Sequence, residues 1–217
     1  CMGWFISSCD RFIYSVLFNE PLWLLINIVL SSFFQSEDVL RIIIFFSSFT
    51  VSYIVLKSNP KYFFILLFFL FFPNFIKNYI IHIRQGLSVA IFLIGWFSIS
   101  KTKKNIFFIL TPFIHASFYF ILLIYVLNIC LEKIKFDIYL KILVYVTLGL
   151  FFSFALGTVA SYLGARQATE YEFIAENISG LGFLFWIFIL IIYITSEEIF
   201  YEKYSFVIGV VIFYLVT

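Results

Sequence analysis

The residues of this chain best equipped to act on an anionic group are four arginines, Arg11, Arg41, Arg84 and Arg166, and two histidines, His82 and His115. An arginine fork donates two parallel hydrogen bonds to a phosphate or carboxylate. Imidazole is the side chain that exchanges protons near neutrality. Arg84 and Gln85 open the otherwise largely apolar stretch HIRQGLSVAIFLIG (82–95), and His115 follows Pro112 in TPFIHASF (111–118). A histidine within an apolar hairpin is a functional candidate, although a packing histidine that only needs a hydrogen-bond partner fits the same pattern. Arg84 also has two readings, a phosphate ligand or an interfacial arginine whose head snorkels to lipid headgroups. Gly95 lies eleven residues beyond Arg84, close to three helical turns. The two therefore share a helix face, where a glycine lets a neighbouring helix come close.

Other charged groups are less pointed. The stretch DRFIYSVLFNEPLW (10–23) carries Asp10, Arg11, Tyr14 and Glu20 just before a short apolar segment. An acid–arginine pair in such a place is commonly a plain salt bridge. Arg166 stands with Glu170, Glu172 and Glu176 in the longest polar stretch, GARQATEYEFIAENISG (164–180), which equally fits a solvated loop. Asn177-Ile178-Ser179 matches a glycosylation triplet, but so short a pattern recurs by chance. Gly180-Leu181-Gly182 follows no strand and is no nucleotide motif. Two histidines without a third nitrogen or sulfur ligand make a poor zinc site. Three scattered cysteines, Cys1, Cys9 and Cys130, imply neither a disulfide framework nor a metal cluster.

The elements that must position these groups are membrane helices. Of 217 residues 64% are hydrophobic and 24% aromatic, and the mean hydropathy is +1.09, more apolar surface than a soluble core of this size needs. A net charge of +2 gives no electrostatic case for nucleic acid. Apolar segments fall at 21–35, 39–56, 62–80 with a break at Pro73-Asn74, 85–100, 105–131 in two short pieces around Pro112 and His115, 138–163, 181–196 and 204–217. Residues 105–131 as one helix would be about 40 Å long, beyond the ~30 Å hydrocarbon core. The expected fold is all-α, a polytopic transmembrane helix bundle with short or re-entrant helices on the outer side. It forms one integral-membrane domain over 1–217. The chain opens with Cys1-Met2-Gly3-Trp4 and stops inside an apolar run at Thr217, which reads as a fragment of a longer protein.

Orientation follows from the lysines. Lys101, Lys103 and Lys104 lie in the turn KTKKN and are assigned to the cytoplasm, with Lys57, Lys61, Lys133, Lys135, Lys141 and Lys203 on the same side and Lys77 the exception. The outer side then collects Asp10, Arg11, Glu20, Arg41, His82, Arg84, Gln85, His115 and the loop 164–180.

The order of Arg84-Gln85, an apolar helix, the lysine turn at 101–104, a short helix and His115-Ala116-Ser117 resembles the bacterial O-antigen and exopolysaccharide polymerases of the Wzy and EpsG type. Asp10 to Tyr14 and Glu20-Pro21 look like the first outer loop of that family, which usually follows a first transmembrane helix; here that helix is missing. Residues 10–125 carry the resemblance, and beyond 131 it is one of hydropathy alone.

The resemblance implies a multi-pass enzyme of the bacterial inner membrane. It would transfer a growing glycan from undecaprenyl diphosphate to a lipid-linked repeat unit at the outer face. Arg84 and His115 would be the catalytic pair, with Gln85, Arg166, Arg11, Asp10, Glu20 and His82 binding substrate. His115 is the first choice to take the proton of the acceptor hydroxyl, with Asp10 or Glu20 second. No metal and no cofactor is expected. The expected partners are the undecaprenyl-diphosphate-linked oligosaccharide, the bilayer and a chain-length regulator. Rival classes are a lipid-linked oligosaccharide flippase, a membrane O-acyltransferase and a non-catalytic assembly partner. Arg84 and His115 are expected to face one polar cleft on the outer side, His115 the deeper of the two.

Overall fold

The computed structural model describes residues 19–71, 73–162, 184, 187–192, 195 and 204–216, without the side chains of 73–75, 78 and 154–162. The described residues carry helices and no strand. They fall into two compact units, 19–119 and 120–216.

The first unit begins with α1 (Pro21–Ser31) and α2 (Ser36–Ser58). Pro21 opens α1, where its missing N–H costs nothing. In α2 the buried residues are Val39, Ile43, Ser47 and Val51. They are spaced four apart and so form one narrow stripe. Around that stripe Phe45, Phe46, Phe49 and Tyr53 stay exposed, an aromatic surface better suited to lipid than to water. Among residues whose side chains are described, α2 is the one helix both long and apolar enough to cross a membrane.

A 3-10 turn (Pro60–Tyr62) leads into α3 (Phe63–Leu70) and α4 (Pro73–Ile80). The expected crossing segment at 62–80 is thus two helices of eight residues each, about 12 Å apiece. The residue before a proline is disfavoured in helical conformation, and Pro73 suits the first position of a new helix. The break expected at Pro73-Asn74 is therefore present and divides the segment near its middle.

Helix α5 (Ile83–Trp96) carries the candidate residues. It buries Gly86, Leu87, Ser88, Ala90 and Gly95, four of them small, and α2 packs closely along it. Val39 and Ile43 of α2 share a core cluster with Leu87, Ile114 and Ile83, while Val51 and Val55 share one with Ala90, Val89 and Leu93. Early turns meet early turns, so α2 and α5 run in the same sense.

Helix α6 (Lys101–Leu110) returns along α5. KTKKN is therefore the first turn of a helix rather than a loop, and the reversal lies at 97–100. Ser100 takes the extended N-cap conformation, and lysines are good helix formers. A Cβ on Gly95 would lie 2.7 Å from Phe107 Cβ; the expected close approach at this glycine is present, and its occupant is α6. Phe92 stacks on Phe108 at 4.4 Å, and Lys104 sits 4.4 Å over the Trp96 ring. A 3-10 turn (Thr111–Phe113) then ends α6, and α7 (Phe118–Ile134) begins after His115. The split of 105–131 expected from Pro112 is present.

In the second unit, α7 from Phe120 on meets α8 (Ile138–Tyr162) and α9 (Ser205–Val216). Tyr145 lies across Gly209, where a Cβ would come 2.7 Å from its ring. The Tyr145 hydroxyl and the Ser205 hydroxyl both donate to Asn128 Oδ1, at 2.8 and 2.9 Å. This buried polar knot joins three helices with its groups satisfied. The loop 164–180 and Lys203 lie outside the described residues, as does most of 181–196, of which 187–192 are helical.

Candidate functional site

Glu20 is where the first unit gathers its chemistry. Its side chain is 6% exposed, although a lone carboxylate would not be buried without partners. Its partners come from two distant parts of the chain. Oε2 pairs with Nη1 of Arg84, and Oε1 lies 2.9 Å from His115 Nδ1 and accepts the Ala116 N–H at 3.2 Å.

Each partner is placed by local folding. Glu20 stands just before Pro21 with a left-handed backbone, φ 58° and ψ 56°. For a residue with a Cβ this costs roughly 1–2 kcal/mol, and strain of this kind is found at functional sites. Its carbonyl accepts from Leu24 N–H to start α1. Arg84 is the second residue of α5, where the positive end of the helix dipole disfavours a cation unless an anion is near. Glu20 supplies that anion.

His115 is set by the turn around Pro112. Its N–H bonds the Thr111 carbonyl at 3.1 Å, and Thr111 Oγ1 bonds the Phe108 carbonyl at 2.8 Å. Buried Ser88 of α5 reaches the Thr111 carbonyl at 3.4 Å, which ties this turn to the helix that carries Arg84. Ala116 precedes α7, so its N–H is free of helix bonding and turns to Glu20.

The electrostatics favour an ionised Glu20. Burial by itself raises the pKa of the carboxyl, but the hydrogen bonds with His115 and Arg84, the Arg84 charge and the Ala116 N–H outweigh it. The net result is a carboxyl held below its ordinary value. His115 is the more enclosed of its partners, with 14% of its side chain exposed against 49% for Arg84. The two residues meet on a shared carboxylate.

Of the remaining candidates, only some lie among the described residues. His82 is the exposed N-cap of α5, and Gln85 is half-buried beside Arg84. Arg41 lies on the surface of α2 and pairs with Asp38 at 3.3 Å and Glu37 at 3.6 Å. Asp10, Arg11 and Arg166 lie outside the described residues. Sequence reasoning missed two contributors, the Ala116 N–H and Ser88. A backbone donor leaves no trace in residue types, and a serine in an apolar helix reads as filler. The central place of Glu20 had one signal, its position ahead of a helix-starting proline.

This cluster offers a cation half-open to an incoming anion, an enclosed imidazole, and a carboxylate touching both. Comparison with curated proteins and with solved structures matched nothing. The model of the EpsG family matches residues 5–217, a range that includes Glu20, Arg84, His115 and every helix described above, and the chain belongs to the EpsG family.

Proposed function

We propose that the chain is a polysaccharide polymerase that transfers a growing glycan from a polyprenyl diphosphate to a lipid-linked repeat unit. Membership of the EpsG family supports a role in polysaccharide biosynthesis. The observation that carries the finer reading is the meeting of Arg84 and His115 on Glu20. Such a transfer has two electrostatic demands, charge developing on a diphosphate and a proton leaving a hydroxyl. Arg84 meets the first. Its side chain is half exposed at a helix N-terminus, where an anion is favoured. His115 meets the second.

In this reading the acceptor hydroxyl oxygen attacks the anomeric carbon of the donor. The bond from that carbon to the diphosphate breaks, and the electron pair leaves with the diphosphate, whose charge Arg84 stabilises. The acceptor proton passes to His115. Glu20 is a poor proton acceptor because its partners already stabilise the anion. Gln85 and His82, close in sequence to Arg84, would hold the sugar or phosphate, and Asp10, Arg11 and Arg166 would complete the outer face. Undecaprenyl diphosphate as the carrier, a chain-length regulator as partner and a multi-pass location in a bacterial inner membrane belong to this proposal.

The test is the glycan ladder of a strain lacking the full-length gene. Loss of a polymerase leaves single repeat units, exported and capped. Loss of a flippase leaves none exported, and loss of an acyltransferase leaves chain length intact; either of those results would replace the proposal.

A further inference from the structure

We infer that Glu20 is the positioning residue of this site: Oε1 fixes His115 as the Nδ1–H tautomer, which leaves Nε2 as the proton acceptor, while Oε2 holds Arg84 in place. What the site acts on rests on the polymerase reading. The tautomer does not, because it follows from the contacts of an ionised Glu20 with a neutral ring.

Oε1 faces two groups, His115 Nδ1 at 2.9 Å and the Ala116 N–H at 3.2 Å. An ionised carboxylate only accepts hydrogen bonds, so the hydrogen between Oε1 and the ring must sit on Nδ1. The alternative is a neutral carboxyl donating to a bare Nδ1. It is opposed from both sides, since the Arg84 guanidinium on Oε2 and the Ala116 N–H on Oε1 both stabilise the anion. In a neutral imidazole protonated at Nδ1 the lone pair is on Nε2. When Nε2 takes a proton, the imidazolium forms against a carboxylate already in place.

The second oxygen has a different task. A guanidinium has five N–H donors, and Glu20 engages Arg84 through Nη1. Nearly half of the Arg84 side chain is exposed, so the rest of the fork can receive an anion while the tether holds. One side chain thus ties together groups 64 and 95 residues away. It stands on a left-handed backbone before a proline, a position with little freedom to drift.

Glutamine is the informative replacement because it keeps the shape but has only one acceptor end. With its oxygen toward His115 and Ala116, its amide hydrogens meet Arg84. With the amide flipped, its hydrogens meet Nδ1 and favour the Nε2–H tautomer.

The experiment is nitrogen NMR of the full-length protein, labelled with ¹⁵N-histidine and held in lipid nanodiscs at a pH where imidazole is neutral. His115→Gln identifies the His115 signals by their loss. The expected wild-type result is a protonated Nδ1 and a bare Nε2. In Glu20→Gln the Nε2–H form gains population, and glycan products fall at least tenfold at normal protein level. A wild-type His115 protonated at Nε2 overturns the inference without any variant. A full-length ladder in Glu20→Gln, beside a lost ladder in His115→Gln, overturns the positioning role and leaves the polymerase reading standing. The expected tautomer beside an unchanged ladder in His115→Gln and Arg84→Lys upholds the tautomer and removes both residues from the reaction, whereas a ladder unchanged in a strain lacking the gene removes the polymerase reading.

Discussion

Replacing Arg84 by lysine keeps the charge and removes the fork, so it separates anion recognition from helix anchoring. The structure gives the two effects different sizes. Toward Glu20, Arg84 acts as one end of an ion pair and is 49% exposed. A lysine can still supply a cation there, and for a half-exposed partner the stability change should stay below about 1 kcal/mol. Toward a diphosphate, lysine cannot reproduce two parallel hydrogen bonds. Losing one bond to a charged group costs about 1.5–3 kcal/mol, or about 10- to 150-fold in rate if the bond tightens in the transition state. Arg84→Gln is the control, since it leaves the buried Glu20 carboxylate without its cation and should also lower stability by about 1–3 kcal/mol. The assay pairs product length on a gel, from purified full-length protein with lipid-linked repeat units, with a thermal midpoint in the same detergent. The reasoning is refuted if Arg84→Lys makes wild-type chain lengths, or if its loss of activity merely follows a loss of stability.

Further outcomes are expected from other parts of the structure. Gly95→Ala places a Cβ 2.7 Å from Phe107 Cβ, which cannot swing aside, and should lower stability by about 1–3 kcal/mol; an unchanged thermal midpoint would contradict the packing of α6 on α5. Glu20 has a folded pKa below its ordinary value of 4.5, so its share of stability is full above that value and is lost as pH falls through the folded pKa. The stability gap between wild type and Glu20→Gln should therefore hold at neutral pH and close in acid below about 4.5, and a gap that widens in acid would reverse the sign. Single cysteines replacing Lys103 and Glu170 in a cysteine-free protein should react with an impermeant reagent from opposite sides of the membrane; reaction of both from one side would reject the proposed topology.

The helical class and most helix positions were legible because long apolar segments and prolines leave strong marks. The pair of short helices around Pro112 followed from length, since residues 105–131 are too long for one crossing. The break expected at Pro73-Asn74 is present, with one helix ending at Leu70 and the next starting at Pro73. FFILLFFL is apolar all round, so it shows no face and no boundary, and only the backbone limits at Pro73 decide where α3 stops. The lysines of KTKKN mark a turn in the sequence, yet lysines do not disfavour a helix, and α6 begins with them. At the site, Arg84 and His115 were legible as rare polar residues in apolar surroundings. The sequence led to the expectation that they face one polar cleft. That Glu20 joins them required the fold, because residues separated by 64 and 95 positions leave no spacing to read.

The most direct test of the account is the product ladder made by purified full-length protein carrying His115→Gln, with a thermal midpoint showing that the variant is folded. The account predicts single, unextended repeat units where the wild-type protein makes a ladder. A ladder of wild-type length and rate from the folded variant would contradict it.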